Sequence, residues 1–108
     1  MIEQGKRIRI IMTRAFEDEP PTIFRGELNG ASEVMLEIIG RRYTKIFDTA
    51  TDRAEERPLD QTDKTYAIPM ASIRFVETIE SGSREEELDQ KIRSEKMIFR
   101  KGALATVD

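Results

Sequence analysis

At 108 residues, with 38% apolar and 36% charged positions, the chain has the size of one domain with a compact core under a heavily charged surface. Its net charge of -3, from 18 Lys+Arg against 21 Asp+Glu, argues against a generally basic nucleic-acid coat. Cysteine and histidine are both absent, which excludes disulfides, thiolate metal sites, cysteine nucleophiles and the usual general base near neutral pH.

Met1–Lys6 lacks the apolar core of a signal peptide, and no run approaches the roughly 20 apolar residues that span a bilayer. A soluble, cytoplasmic protein with no membrane association is expected. From Arg7 to Thr13, Ile8, Ile10 and Met12 alternate with Arg7 and Arg9, which predicts a half-buried strand. Ile11 falls on the polar side and implies that this face is partly covered. Glu17-Asp18-Glu19-Pro20-Pro21 then reads as an acidic turn.

A second strand is expected over Thr22–Gly30, with Phe24, Gly26, Leu28 and Gly30 on one face and Arg25, Glu27 and Asn29 on the other. Gly26 leaves no side chain on the apolar face and permits a bend or a close backbone approach. The third strand, Val34–Tyr43, is apolar on both faces, as in the middle of a sheet or at a subunit contact. Asp48–Asp63 is punctuated by carboxylates and Pro58 and is expected to be a long solvated connection, with room for one helical turn around Arg53–Glu56. Two further strands are expected near Lys64–Ile68 and Ala71–Glu80.

Ser83 with Glu86 predicts a capping box that opens a helix from Arg84, supported by Glu87–Lys91 and Asp89–Arg93 at i,i+4. Leu88, Ile92 and Phe99 form its apolar stripe. Residues 1–80 are thus expected to form a β-barrel domain with a long acidic loop around 48–63. Residues 81–108 form a C-terminal helical extension with a frayed tail.

The phrase Phe24-x-Gly26-x-Leu28-x-Gly30, followed by Met35, resembles the first motif of the Sm/LSm family and its bacterial Hfq relatives. Ile68-Pro69-Met70-Ala71-Ser72-Ile73 resembles the region of the second motif in position and character. The resemblance implies a small, bent, five-stranded Sm-like or SH3-like barrel, a homo-oligomeric ring built by strand pairing, and RNA as ligand. Departures fall on the RNA contacts: Ala31-Ser32 replaces Phe-Asp, Leu36 stands where a base-contacting Asn is usual, and the Arg-Gly and Lys-His pairs are missing. The RNA site of the family is therefore not carried over.

Arg41-Arg42-Tyr43-Thr44-Lys45 is the best candidate nucleic-acid contact, since Arg41, Arg42 and Lys45 offer charge to phosphates and Tyr43 offers a stacking face. The competing reading pairs those arginines with the acidic segment that follows. Lys6, Arg7, Arg9 and Arg14 form a second basic group. The oligomer interface is expected at Ile39, Tyr66, Ile68, Ile73 and Val76, where self-association would bury surplus apolar surface and satisfy strand edges. No catalytic, metal or cofactor constellation is present, because the chain has no phosphate loop, nucleophile elbow or histidine dyad. The reading is a non-catalytic, ring-forming binding or assembly module. The alternative is a structural or protein-interaction module with a protein partner and no nucleic-acid role.

Overall fold

Alternation of isoleucine with arginine makes Arg7–Met12 (β1) a strand with two usable faces, and a computed structural model, which describes residues 4–16, 18–50 and 52–94, places it inside the sheet. The other strands are β2 (Thr22–Ala31), β3 (Met35–Asp48), β4 (Arg53–Pro58), β5 (Lys64–Pro69) and β6 (Ile73–Thr78). A single 3-10 turn, Met70–Ser72, joins β5 to β6, and Arg84–Arg93 forms the helix α1. All pairings are antiparallel, in the order β4-β3-β2-β1-β6, with β5 also on β3. The chain is thus mainly β, with six strands where the sequence predicts five.

The additional strand corrects the expected loop over 48–63. β4 consists of Arg, Ala, Glu, Glu, Arg and Pro, a composition with little strand propensity. It pairs because β3 continues beyond Tyr43, setting Tyr43 opposite Pro58 and Lys45 opposite Glu56. The turn between them uses Asp52 at φ 57, a left-handed conformation that aspartate tolerates better than most residues. Strand β3 therefore shares one edge between two partners: Met35–Gly40 with β5, and Tyr43–Asp48 with β4.

The face predicted for Phe24 and Leu28 is the core. Ile8, Ile10, Phe24, Leu28, Leu36, Ile38 and Ile68 are buried together, and Tyr66 meets Phe24 edge-on at 5.0 Å between ring centres. The opposite face is covered as well, as Ile11 suggests: Ile23 and Tyr43 are buried against Ile92 of α1, with Ile11 beside them. Burying side chains on both sides of one sheet gives a short chain two small cores instead of one.

Glycine has a defined task where β2 crosses β3. Gly26 sits opposite Gly40, and a Cβ on Gly26 would lie 2.5 Å from the Ile39 carbonyl oxygen and 2.8 Å from the Gly40 Cα. A Cβ on Gly40 would collide with the Arg25 carbonyl oxygen. These obstacles are backbone and cannot rotate aside.

Helix α1 opens as predicted. The Glu86 N–H donates to Ser83 Oγ at 3.0 Å, while the Glu86 carboxylate accepts from the Gly82 N–H at 2.7 Å. Of the two expected ion pairs, Asp89–Arg93 forms at 3.3 Å, whereas Lys91 makes none among the described residues. The apolar stripe divides: Ile92 is buried, Leu88 is 52% exposed, and Phe99 lies outside the described residues. No described helix is long and apolar enough to cross a membrane.

Gly26→Ala is expected to lower stability by about 1–3 kcal/mol, because the methyl must push two strands apart. Urea denaturation measures this, and an unchanged midpoint would disprove the close approach.

Candidate functional site

Strand alternation separates the residues of the predicted nucleic-acid patch. Arg41, Tyr43 and Lys45 project on one face of β3 and Arg42 on the other. Arg41 donates to Asp63 at 3.0 Å, and Arg42 makes a two-pronged contact with Asp60 while lying over the Tyr66 ring. Tyr43 is only 1% exposed, so its ring offers no stacking face to a base. Lys45 remains exposed. The predicted interface residues are equally dispersed: Ile68 is in the core, Tyr66, Ile73 and Val76 pack against it, and Ile39 is 42% exposed.

Asp60, expected to be solvated, holds the point where the β3 edge passes from β5 to β4. The Arg42 N–H has no strand opposite it there and donates to Asp60 Oδ2 at 2.8 Å. The Tyr66 hydroxyl donates to the same oxygen at 2.6 Å. Burial pushes the Asp60 carboxyl up, but the Arg42 side chain, the Tyr66 hydroxyl and the Arg42 amide outweigh it and hold its pKa down to about 2. Burial and the neighbouring Asp60 raise the Tyr66 phenol in turn.

Arg7 and Arg9 of the second basic group meet their counter-ions on the helix side of the sheet, whereas Arg14 donates to the Glu19 carbonyl at 3.0 Å. Arg9, Arg25 and Arg41 lie directly across from one another on β1, β2 and β3, an unfavourable row of like charges. Arg25, 3% exposed, donates from Nε to Glu56 Oε1 and from Nη1 to Asp89 Oδ1, each at 2.9 Å. Arg9 donates to Glu56 at 2.8 Å and to Glu77 at 2.9 Å, while Arg7 grips both oxygens of Asp89 at 3.2 Å. Lys6 pairs with Glu80 at 3.3 Å. Burial disfavours the charge on Arg25, yet Glu56 and Asp89 raise its pKa above the usual value. Burial likewise opposes the Glu56 carboxylate, and Arg25 and Arg9 reverse this and lower its pKa.

A cleft of about 670 Å³ lies over this network. Arg9, Arg25 and Glu56 line it from the sheet, Lys45 and Arg53 from the β3–β4 ribbon, and Leu88, Lys91 and Ile92 from α1. Its size falls within the range of small-molecule sites. No group of three or more acidic residues that could hold a metal ion occurs among the described residues.

Sequence reasoning missed Asp60, Glu56 and Asp89. Asp89 carried a usable signal, since a residue three before the buried Ile92 shares its face of the helix. Asp60 was legible only as part of the acidic segment that the competing reading pairs with the arginines, which its contact with Arg42 bears out, whereas Glu56 carried no signal because it depends on a strand that composition conceals.

Asp60→Asn is expected to cost about 2 kcal/mol at neutral pH. The folded carboxyl has the depressed pKa, so its contribution is complete above the unfolded value of about 3.9 and is lost as pH falls through about 2. Urea denaturation across that window should show the gap between variant and parent narrowing; a constant gap would contradict the assignment. Glu56→Ala should cost about 3 kcal/mol, because it removes a carboxylate shared by two largely buried guanidiniums. Thermal melting checks this, and a loss within surface-substitution range would mean the network is dispensable.

Comparison with models of protein families, with curated proteins and with solved structures finds no match to this chain.

Proposed function

We propose that the chain is a non-catalytic assembly module of the Sm-like or SH3-like barrel type that forms a homo-oligomeric ring by pairing strand edges. The observation that supports this reading is the route of Lys64–Thr78. Strand β5 lies along β3, the chain turns through Met70–Ser72, and β6 lies along β1 at the far end of the sheet. Joining the two ends through so short a turn calls for a strongly curled sheet, hence the barrel. Among the described residues, β5 pairs only with β3 and β6 only with β1. Each therefore retains an open edge. Pairing β5 of one copy with β6 of the next is a heterologous contact, which yields a ring when its rotation closes.

Hydrogen-bond phase identifies the free donors. The Met70 N–H donates to the Val34 carbonyl at 2.8 Å, so the amides of Ile68 and Tyr66 face β3, while those of Ala67 and Thr65 face away. Pro69, which has no N–H, falls in the outward set. Exposed Ile39 lies opposite Thr65 and would flank such a contact. RNA, the ligand implied by the family resemblance, has less support, because Arg41 and Arg42 are ion-paired and Tyr43 is buried. The partner in this reading is a second copy of the chain.

Light scattering is expected to give a discrete multiple of the 12.5 kDa chain. Ala67→Pro removes one outward donor without touching the internal ladder and should shift the mass toward the monomer while the circular dichroism spectrum is retained. A monomeric parent would overturn the proposal, and an unchanged mass in the variant would exclude β5 from the interface.

A further inference from the structure

We infer that the cleft between the β3–β4 ribbon and α1 is a binding site for a small molecule carrying a phosphate or several carboxylates. This goes beyond the assembly reading and stands without it, since the cationic walls lie on β3, β4 and α1 rather than on the open edge of β5. Most of the described cations are already neutralised by a carboxylate. Lys6, Arg7, Arg9, Arg25, Arg41, Arg42, Arg57, Lys64 and Arg93 each make an ion pair. Lys45, Arg53, Arg74, Arg84 and Lys91 make none among the described residues, and three of these five, Lys45, Arg53 and Lys91, come from three different elements and line the same cleft.

Such convergence is unfavourable in the empty protein, because these three charges have no ion-pair partner while Glu55, Glu56 and Glu77 of the same lining are engaged by Arg57, Arg25 and Arg9. An anion relieves it. Beneath them the Arg9 guanidinium is fixed by Glu56 and Glu77, so the floor is positioned and loses little freedom when a ligand arrives. Ile79 and Leu88 add apolar wall, which suits an anionic group attached to an organic body.

The remaining charges select for size. Glu55, Glu77 and Glu85 also line the cleft, and they would repel a polyanion that continued past the cationic group. A nucleic-acid strand carries phosphates along its whole length and is disfavoured, whereas a terminal phosphate or a compact polycarboxylate is not. The site thus differs from the Arg41–Lys45 stretch in both ligand and position, and Lys45 is the residue they share.

The test is calorimetric titration of the full chain with pyrophosphate at low ionic strength. Saturable one-site binding is expected. Lys45→Ala, Arg53→Ala and Lys91→Ala should each weaken it by about tenfold, the loss of one charge-assisted contact. Arg84, exposed on α1 but outside the cleft, provides the control, and Arg84→Ala should bind as the parent does. All four residues are exposed, so the variants should melt like the parent. Absence of saturable binding, or equal weakening by Arg84→Ala, would overturn the site. So would single-stranded RNA that binds through the same residues and is not displaced by pyrophosphate.

Discussion

The structure turns on Arg25. Its guanidinium is buried between a carboxylate from β4 and another from α1, so one side chain on β2 ties together a strand that otherwise pairs only with β3 and a helix that otherwise rests on the patch of Ile23 and Tyr43. A buried guanidinium that keeps its charge needs both partners, and neither partner can leave without stranding it. This explains how so charged a ribbon as Arg53–Pro58 is held as a strand, and why a ten-residue helix of modest apolarity remains on the sheet. Buried ion pairs are weak sources of net stability, but removing one partner of a buried pair is costly. Here they select the one packing in which Arg7, Arg9 and Arg25 all find carboxylates.

The second constraint is geometric. Close approach of β2 and β3 at Gly26 and Gly40 brings the core face together, while the helix face stays open enough to accommodate large polar groups. The two faces consequently differ in kind. One is a hydrocarbon core of isoleucine, leucine and phenylalanine. The other is a thin apolar patch of Ile23, Tyr43 and Ile92 bordered by ion pairs and a cleft. The candidate cleft lies on the second face, where charged side chains from β1, β2, β3, β4 and α1 converge.

Much of this architecture is legible in the residues. Alternation at Ile8, Ile10, Phe24 and Leu28 identifies the core face, and Ser83 with Glu86 marks the helix start. Gly26 announces the close approach, although its partner Gly40 cannot be recognised without the register. What stays hidden is whatever depends on pairing across long separations. Arg41 and Arg42 read either as a free cationic patch or as partners of the acidic segment that follows, and the fold decides for the second by bringing Asp63 and Asp60 beside them. Glu56 looks solvated until β4 is known to be a strand. Charge in a sequence is visible, but neutralisation is a property of the fold.

The arginine row across β1, β2 and β3 has a kinetic consequence. Arg9, Arg25 and Arg41 come together as soon as these strands pair, whereas their carboxylates follow later in the chain, Glu56 with β4, Asp63 after it and Asp89 with α1. A chain that forms its central strands first must therefore pass through a state in which the cations are gathered without their anions. Screening by salt lowers the energy of that state more than that of the finished network. Moderate ionic strength should thus speed the assembly of this molecule, even though its completed structure is laced with ion pairs.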